Sequence, residues 1–180
     1  YQTLTNSDGA DPIDYPAIMA NPAEFELVAT DAATGKPVYF TKDDMKQDDY
    51  RAIMASCALP VMCRPISFKD QTYFDGGLSD SVPIMRAFAK GCDRVVVILS
   101  KPRSFVKQPE GFRHIYRHAL RKYPQTIAAL DNRHLMYRQN IADVKKQESA
   151  GKALVFAPSK ELKMSTYARD EKLEQELYDL

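Results

Sequence analysis

Apolar and polar positions change period several times along this chain, and each change predicts an element. Residues 24–30 alternate and are rich in β-formers. Pro37-Val38-Tyr39-Phe40-Thr41 answers them, with Asp31 to Lys36, containing Gly35, as the hairpin turn between. Met45, Ile53, Met54, Cys57 and Ala58 fall on helical spacing, and Pro60 ends that helix. Pro65-Ile66-Ser67-Phe68 and Gln71-Thr72-Tyr73-Phe74 read as a second hairpin turning at Lys69-Asp70. Asp80-Ser81 is expected to cap a helix over 82–90, with Pro83 in its first turn and Gly91 closing it.

Residues 94–99 form a near-continuous apolar run, the pattern of a strand buried on both faces of a parallel sheet. A long helical region over about 111–149 follows, interrupted at Pro124, then a second buried strand at 153–157 and a charged terminal helix at 167–180. Residues 1–23, with Pro12, Pro16 and Pro22, read as an irregular lead-in. Residues 101–180 are mostly helical with one strand. Alternating strands and helices around two apolar strands predict an α/β domain with a mixed or parallel sheet flanked by helices.

Composition supports a folded chain. The 180 residues are 44% apolar and 27% charged, which suits one domain burying roughly two-thirds of its unfolded surface. The longest apolar run, Val95-Val96-Val97-Ile98-Leu99, has strand length and is far short of a membrane span. The chain begins Tyr1-Gln2-Thr3 without an initiator Met, so it is expected to be a piece of a longer protein, and the lack of a leader carries no weight. Three cysteines, Cys57, Cys63 and Cys92, form neither an even disulfide set nor a zinc pattern, which predicts reduced, mostly buried thiols in a cytoplasmic protein. A net charge of +1 hides an asymmetry: residues 1–80 hold thirteen acids and six bases, whereas residues 101–146 hold eleven bases and three acids. The basic segment could steer an anionic substrate or lipid surface, or it could be neutralised by the acidic half in the fold.

Tyr73-Phe74-Asp75-Gly76-Gly77 is where candidate chemistry concentrates. A carboxylate at a strand end, followed by two glycines, is aimed by a tight turn that another backbone or a ligand can approach closely. Alone, Asp-Gly is ordinary turn chemistry. It stands in an ordered series, however: Val28-Ala29-Thr30-Asp31 with Thr34-Gly35 and Val38-Tyr39-Phe40, then Ala55-Ser56-Cys57-Ala58-Leu59-Pro60 leading to Arg64-Pro65, then the Asp-Gly-Gly turn with Val82-Pro83-Ile84, then the strand from Val95 to Leu99. This series resembles the C-terminal half of a patatin-like phospholipase of the bacterial type, from about Phe25 to Ser100 and more loosely to the end of the chain.

The resemblance implies a partial patatin-like domain over 1–180, the C-terminal part of a three-layer α/β fold. It implies a serine lipid acyl hydrolase using a Ser–Asp dyad without a catalytic histidine or a cofactor. Asp75 would be the dyad base, with Gly76 and Gly77 shaping its turn. The nucleophile would stand upstream in Gly-x-Ser-x-Gly, beyond a glycine-rich oxyanion loop; this sequence contains neither. Gly77-Leu78-Ser79-Asp80-Ser81 lacks the second glycine, and Ser79 is rejected as nucleophile because it lies only four residues past Asp75. The isolated chain is therefore expected to be inactive. The partners implied are a lipid or other ester substrate and transient contact with an anionic membrane surface. The alternative is a non-catalytic lipid- or protein-binding module that keeps the fold.

Other residues weigh less. Ser56 reads as a helix-end hydroxyl bonded to backbone, and Thr30-Asp31 as a turn start, with a place lining the site as the alternative. His114 and His118 stand four apart on a predicted helix, but Arg113, Arg117, Arg121 and Lys122 would repel a cation there, so no metal is expected. No nucleic-acid module accompanies that basic cluster, and Phe112, Tyr116 and Tyr123 suit a packed helix face, so no nucleic-acid partner is expected.

Overall fold

The computed structural model describes residues 2–160 together with 175 and 178; the terminal helix expected over 167–180 lies almost wholly outside the described residues. Two short helices, α1 (Gln2–Thr5) and α2 (Tyr15–Ala20), replace the irregular lead-in. Pro16 sits in the first turn of α2, where its missing N–H costs nothing, and the Asp14 carboxylate accepts from Ala17 N. Strands β1 (Glu26–Asp31) and β2 (Pro37–Thr41) form the first expected hairpin. Helix α3 covers only Arg51–Ser56. Met45 lies outside it, because Thr41 and Asp44 close a capping box around a 3₁₀ turn at Lys42–Asp44 and Lys46 bridges to Asp49. Strands β3 (Ile66–Phe68) and β4 (Gln71–Asp75) form the second hairpin. Lys69 and Asp70 both adopt positive φ, 48° and 59°, as a two-residue primed turn requires.

Helix α4 spans Ile84–Ala89 and has no side-chain cap, against expectation: Asp80 accepts from the Tyr39 hydroxyl at 2.6 Å and Ser81 donates to the Gly77 carbonyl at 2.9 Å. Gly91, at φ 94°, ends α4 as expected. Strand β5 (Val95–Ile98) is followed by α5 (Arg113–Ala119), α6 (Pro124–Ser149) and β6 (Ala153–Phe156). Pro124 starts α6, which explains the interruption read from the sequence.

The class is α/β, with antiparallel and parallel sheets flanked by helices. The residues group into two compact units: 1–82 with 109–137, and 83–108 with the residues from 138 on. The first unit holds an antiparallel sheet in the order β2-β1-β4-β3. Neighbouring residues of β4 point to opposite faces of this sheet. Tyr73 packs with Ala29, Phe40, Met45, Tyr50, Ala52, Ala55 and Phe68 on the α3 side. Phe74, with no exposed surface, packs with Leu78, Tyr116, Leu120 and Leu130 on the side of α5 and α6. Helices therefore cover this sheet on both faces.

The second unit contains α4, the later part of α6 and the parallel pair β5-β6. Arg103 forks onto Glu148 at 2.7 and 2.8 Å and reaches the Val155 carbonyl at 2.7 Å. The expectation that both strands are buried on both faces is overturned. Val97 and Val155 are buried, but Val96, Ile98, Leu154 and Phe156 are 60%, 81%, 57% and 56% exposed. The strand period explains it: alternate residues face opposite sides, and among the described residues only one side is covered.

The cysteines are a second correction. All three are free and exposed, since Cys57 is the C-cap of α3 and Cys63 and Cys92 lie in the connections after Pro60 and Gly91.

Candidate functional site

Asp75 is the last residue of β4, in register with Ala29 of β1, and its backbone N–H donates to the Ala58 carbonyl at 2.9 Å. The chain then turns into a 3₁₀ turn at Gly76–Leu78, and Asp75 caps it: carboxylate Oδ1 accepts from Gly77 N at 2.6 Å. Among the described residues no hydrogen bond reaches Oδ2. One carboxylate oxygen is thus fixed and the other is left to accept a proton.

The two glycines do different jobs. Gly76 is buried, and a Cβ there would run into the Val28 carbonyl of β1, so any side chain would push the turn off the sheet. A Cβ on Gly77 would stand 2.8 Å from Asp75 Oδ1, crowding the carboxylate it holds. Neither has positive φ; close approach alone selects glycine here.

Polar groups brace the turn from both sides. Thr30, fully buried on β1, donates its hydroxyl to the Asp75 carbonyl at 2.8 Å. With its one proton so used, it accepts from Ser79 Oγ, 2.8 Å away. The Ser79 proton therefore points at Thr30 rather than at the Asp75 carboxylate. The Gly77 carbonyl accepts from Ser81 Oγ at 2.9 Å and from Arg133 Nε at 2.8 Å. Burial pushes the Asp75 carboxyl above its usual range, and the Gly77 N–H and the nearby Arg133 charge pull it back only in part. The outcome is a desolvated carboxylate, a stronger base than one in water.

The remaining candidates fall elsewhere. Asp31 Oδ1 accepts from Ala33 N, Thr34 N and the Thr34 hydroxyl at 2.7–2.9 Å, the turn-starting role expected of it. Ser56 ends α3, but among the described residues its hydroxyl bonds nothing, so the backbone bond read for it is absent. Arg113 and Arg117 pair with Asp131 of α6, which also accepts from Tyr116 OH at 2.5 Å. That carboxylate neutralises part of the basic cluster. Among the described residues, no group of three or more His, Cys, Asp or Glu is placed to hold a metal, and no helix is long and apolar enough to cross a membrane. Arg133 was missed from sequence. It stands 56 residues from Gly77 among other basic residues of a helix, and no local pattern marks it.

The site is thus a half-buried carboxylate at the end of an inner strand of an α/β chain, held by a glycine turn. Residues 11–88 match the family model described as patatin-like phospholipase, which points to lipid acyl hydrolases. Residues 123–180 match a different model, a domain of unknown function (DUF6363), so the looser likeness drawn through the C-terminal helices is replaced by a separate match. The chain is also 29% identical over 110 residues to the uncharacterized protein YjjU of Escherichia coli (strain K12). That alignment covers 53% of this chain and 30% of the relative's length.

Proposed function

We propose that this chain is the base-bearing C-terminal part of a patatin-like lipid acyl hydrolase, with a nucleophilic serine supplied by residues outside this sequence. Asp75 Oδ2 takes the proton of that serine hydroxyl as the oxygen bonds to the acyl carbon of a lipid ester. The tetrahedral oxyanion is held by backbone N–H donors, also outside this sequence, each typically worth about 10²–10³ in rate. The intermediate collapses, the C–O bond to the alcohol breaks, and Asp75 returns the proton to the leaving oxygen. Water then releases the acid by the same two transfers, and no cofactor takes part.

One observation carries the reading: a carboxylate whose burial raises its basicity, with one oxygen fixed by Gly77 and the other open. The residues from 11 to 88 that match the phospholipase model include this turn. The test is Asp75→Asn in the longer natural polypeptide, assayed on phospholipid and short-chain esters. A loss of about 10²–10⁴-fold in kcat with unchanged circular dichroism is expected. Hydrolysis within threefold of wild type rejects the dyad. The 180-residue chain alone is expected to hydrolyse neither ester. A longer polypeptide without Gly-x-Ser-x-Gly upstream favours the non-catalytic binding module instead.

The same reading makes the protein cytoplasmic, with transient contact at an anionic membrane surface. Phe112, exposed rather than on the packed face expected of it, and exposed Ile115 stand beside the basic residues of α5 and support that contact.

A further inference from the structure

The segment matching a domain of unknown function begins at residue 123, and its first turns belong to the same compact unit as the Asp75 turn. Three contacts seat them. Thr126, fully buried, donates its hydroxyl to the Ala32 carbonyl at 3.0 Å. The Gln125 carbonyl approaches Gly35 so closely that a Cβ there would stand 2.7 Å from it, and Gly35 has φ 68°. Leu130 packs with Phe74 and Leu78, on either side of the Asp75-Gly76-Gly77 turn.

Arg133 follows Leu130 and reaches the turn itself. Its side chain is only 25% exposed, Nε donates to the Gly77 carbonyl at 2.8 Å, and Nη1 pairs with Glu110 at 3.2 Å. Gly77 is thus held at its carbonyl by the arginine while its N–H holds Asp75 Oδ1. Glu110 holds the same guanidinium at a second nitrogen.

We propose that Arg133 is the positioning residue for Asp75, and that the start of the segment of unknown function is part of this site rather than a separate module. The arginine fixes the glycine that aims the carboxylate and sets a positive charge beside it. That charge favours the ionised carboxylate against the burial that opposes it, so the base is deprotonated when the serine arrives. A fixed, planar donor fork suits this task better than a flexible ammonium. The inference rests on Asp75 as general base, but its own signature is the titration of Asp75, which needs no catalysis.

The experiment is a ¹³C NMR titration of the Asp75 carboxyl in the 180-residue chain, for wild type, Arg133→Met and Arg133→Lys. Removal of the charge in Arg133→Met is expected to move the midpoint up, and Arg133→Lys to bring it back towards wild type. An unchanged midpoint in Arg133→Met overturns the proposal. If circular dichroism shows Arg133→Met unfolded, Arg133→Gln, which keeps a donor without charge, takes its place with the same expected rise. In the longer active polypeptide, Arg133→Met is expected to lower kcat by about 10–100-fold and to move the acidic limb of the pH–rate profile upward. If Asp75→Asn abolishes hydrolysis while the Arg133 variants change neither midpoint nor rate, this inference fails alone. If the midpoint moves but Asp75→Asn leaves hydrolysis intact, the dyad fails and the positioning stands.

Discussion

The two sheets among the described residues reverse the burial that their sequences suggest. In the four-stranded sheet, β4 places Tyr73 against α3 and Phe74 against α5 and α6, so both faces are dry. In the parallel pair, Val97 and Val155 are buried while Ile98 and Phe156 face outward. As sequence, the runs of the parallel pair read as the buried strands and β4 only as one arm of a hairpin. The difference teaches that an apolar strand states its demand for cover, and only the neighbouring elements decide whether the demand is met. The polar groups differ as well: the covered sheet ends in a braced carboxylate, whereas the parallel pair is tied by Arg103 to Glu148 and the Val155 carbonyl.

Paired core substitutions test the contrast most severely. Phe74→Ala is expected to cost about 3–5 kcal/mol in urea denaturation, because a large side chain leaves a closed cavity. Ile98→Ser should change stability by no more than about 0.5 kcal/mol. A loss above 1 kcal/mol for Ile98→Ser, roughly twice that bound, would show that the outer face is covered in this chain after all.

The pH dependence is a finer probe, since among the described residues the covered sheet alone holds a half-buried carboxylate of raised basicity at a strand end. The folded Asp75 carboxyl is raised, so the folded state binds its proton more tightly than the unfolded state. The stability this gives is fully present below the ordinary carboxylate range near ~4 and is lost as pH rises through the raised folded value. Asp75→Asn lacks that loss, so urea melts should show the variant gaining on wild type as pH rises towards neutrality. A constant gap would mean that burial does not act on Asp75.

The smallest expected effect lies on the outer surface of α5 and of the connection that follows it. Arg113 and Arg117 are already occupied by Asp131, so charge reversal at Arg121 and Lys122 should weaken sedimentation with anionic vesicles, and the binding should fade as salt rises. Binding that ignores salt, or none at low salt, removes the membrane contact.

Much of the first unit could be read from sequence, because its signals are local. The Lys69-Asp70 turn sits between two β-type runs, Gly35 closes the first hairpin, and Pro124 can only begin a helix. The Asp75 turn was visible for the same reason, as a carboxylate followed by two glycines. What was missed is non-local. Met45 fits a helical period, yet the Thr41–Asp44 capping box takes it out of the helix. Asp80 and Ser81 are good cap residues, but Tyr39 and Gly77 claim them. Arg133 joins the site across 56 residues, a contact made only when the helix docks.

The exposure of Cys57 has a practical side. It is the residue before Ala58, whose carbonyl receives the Asp75 N–H. With Cys63 and Cys92 changed to serine, a fluorine or spin label on that single thiol would sit one residue from the carbonyl that anchors Asp75. Displacement of that carbonyl, or loss of the arginine, could then be followed as a spectroscopic signal that needs no turnover to be read.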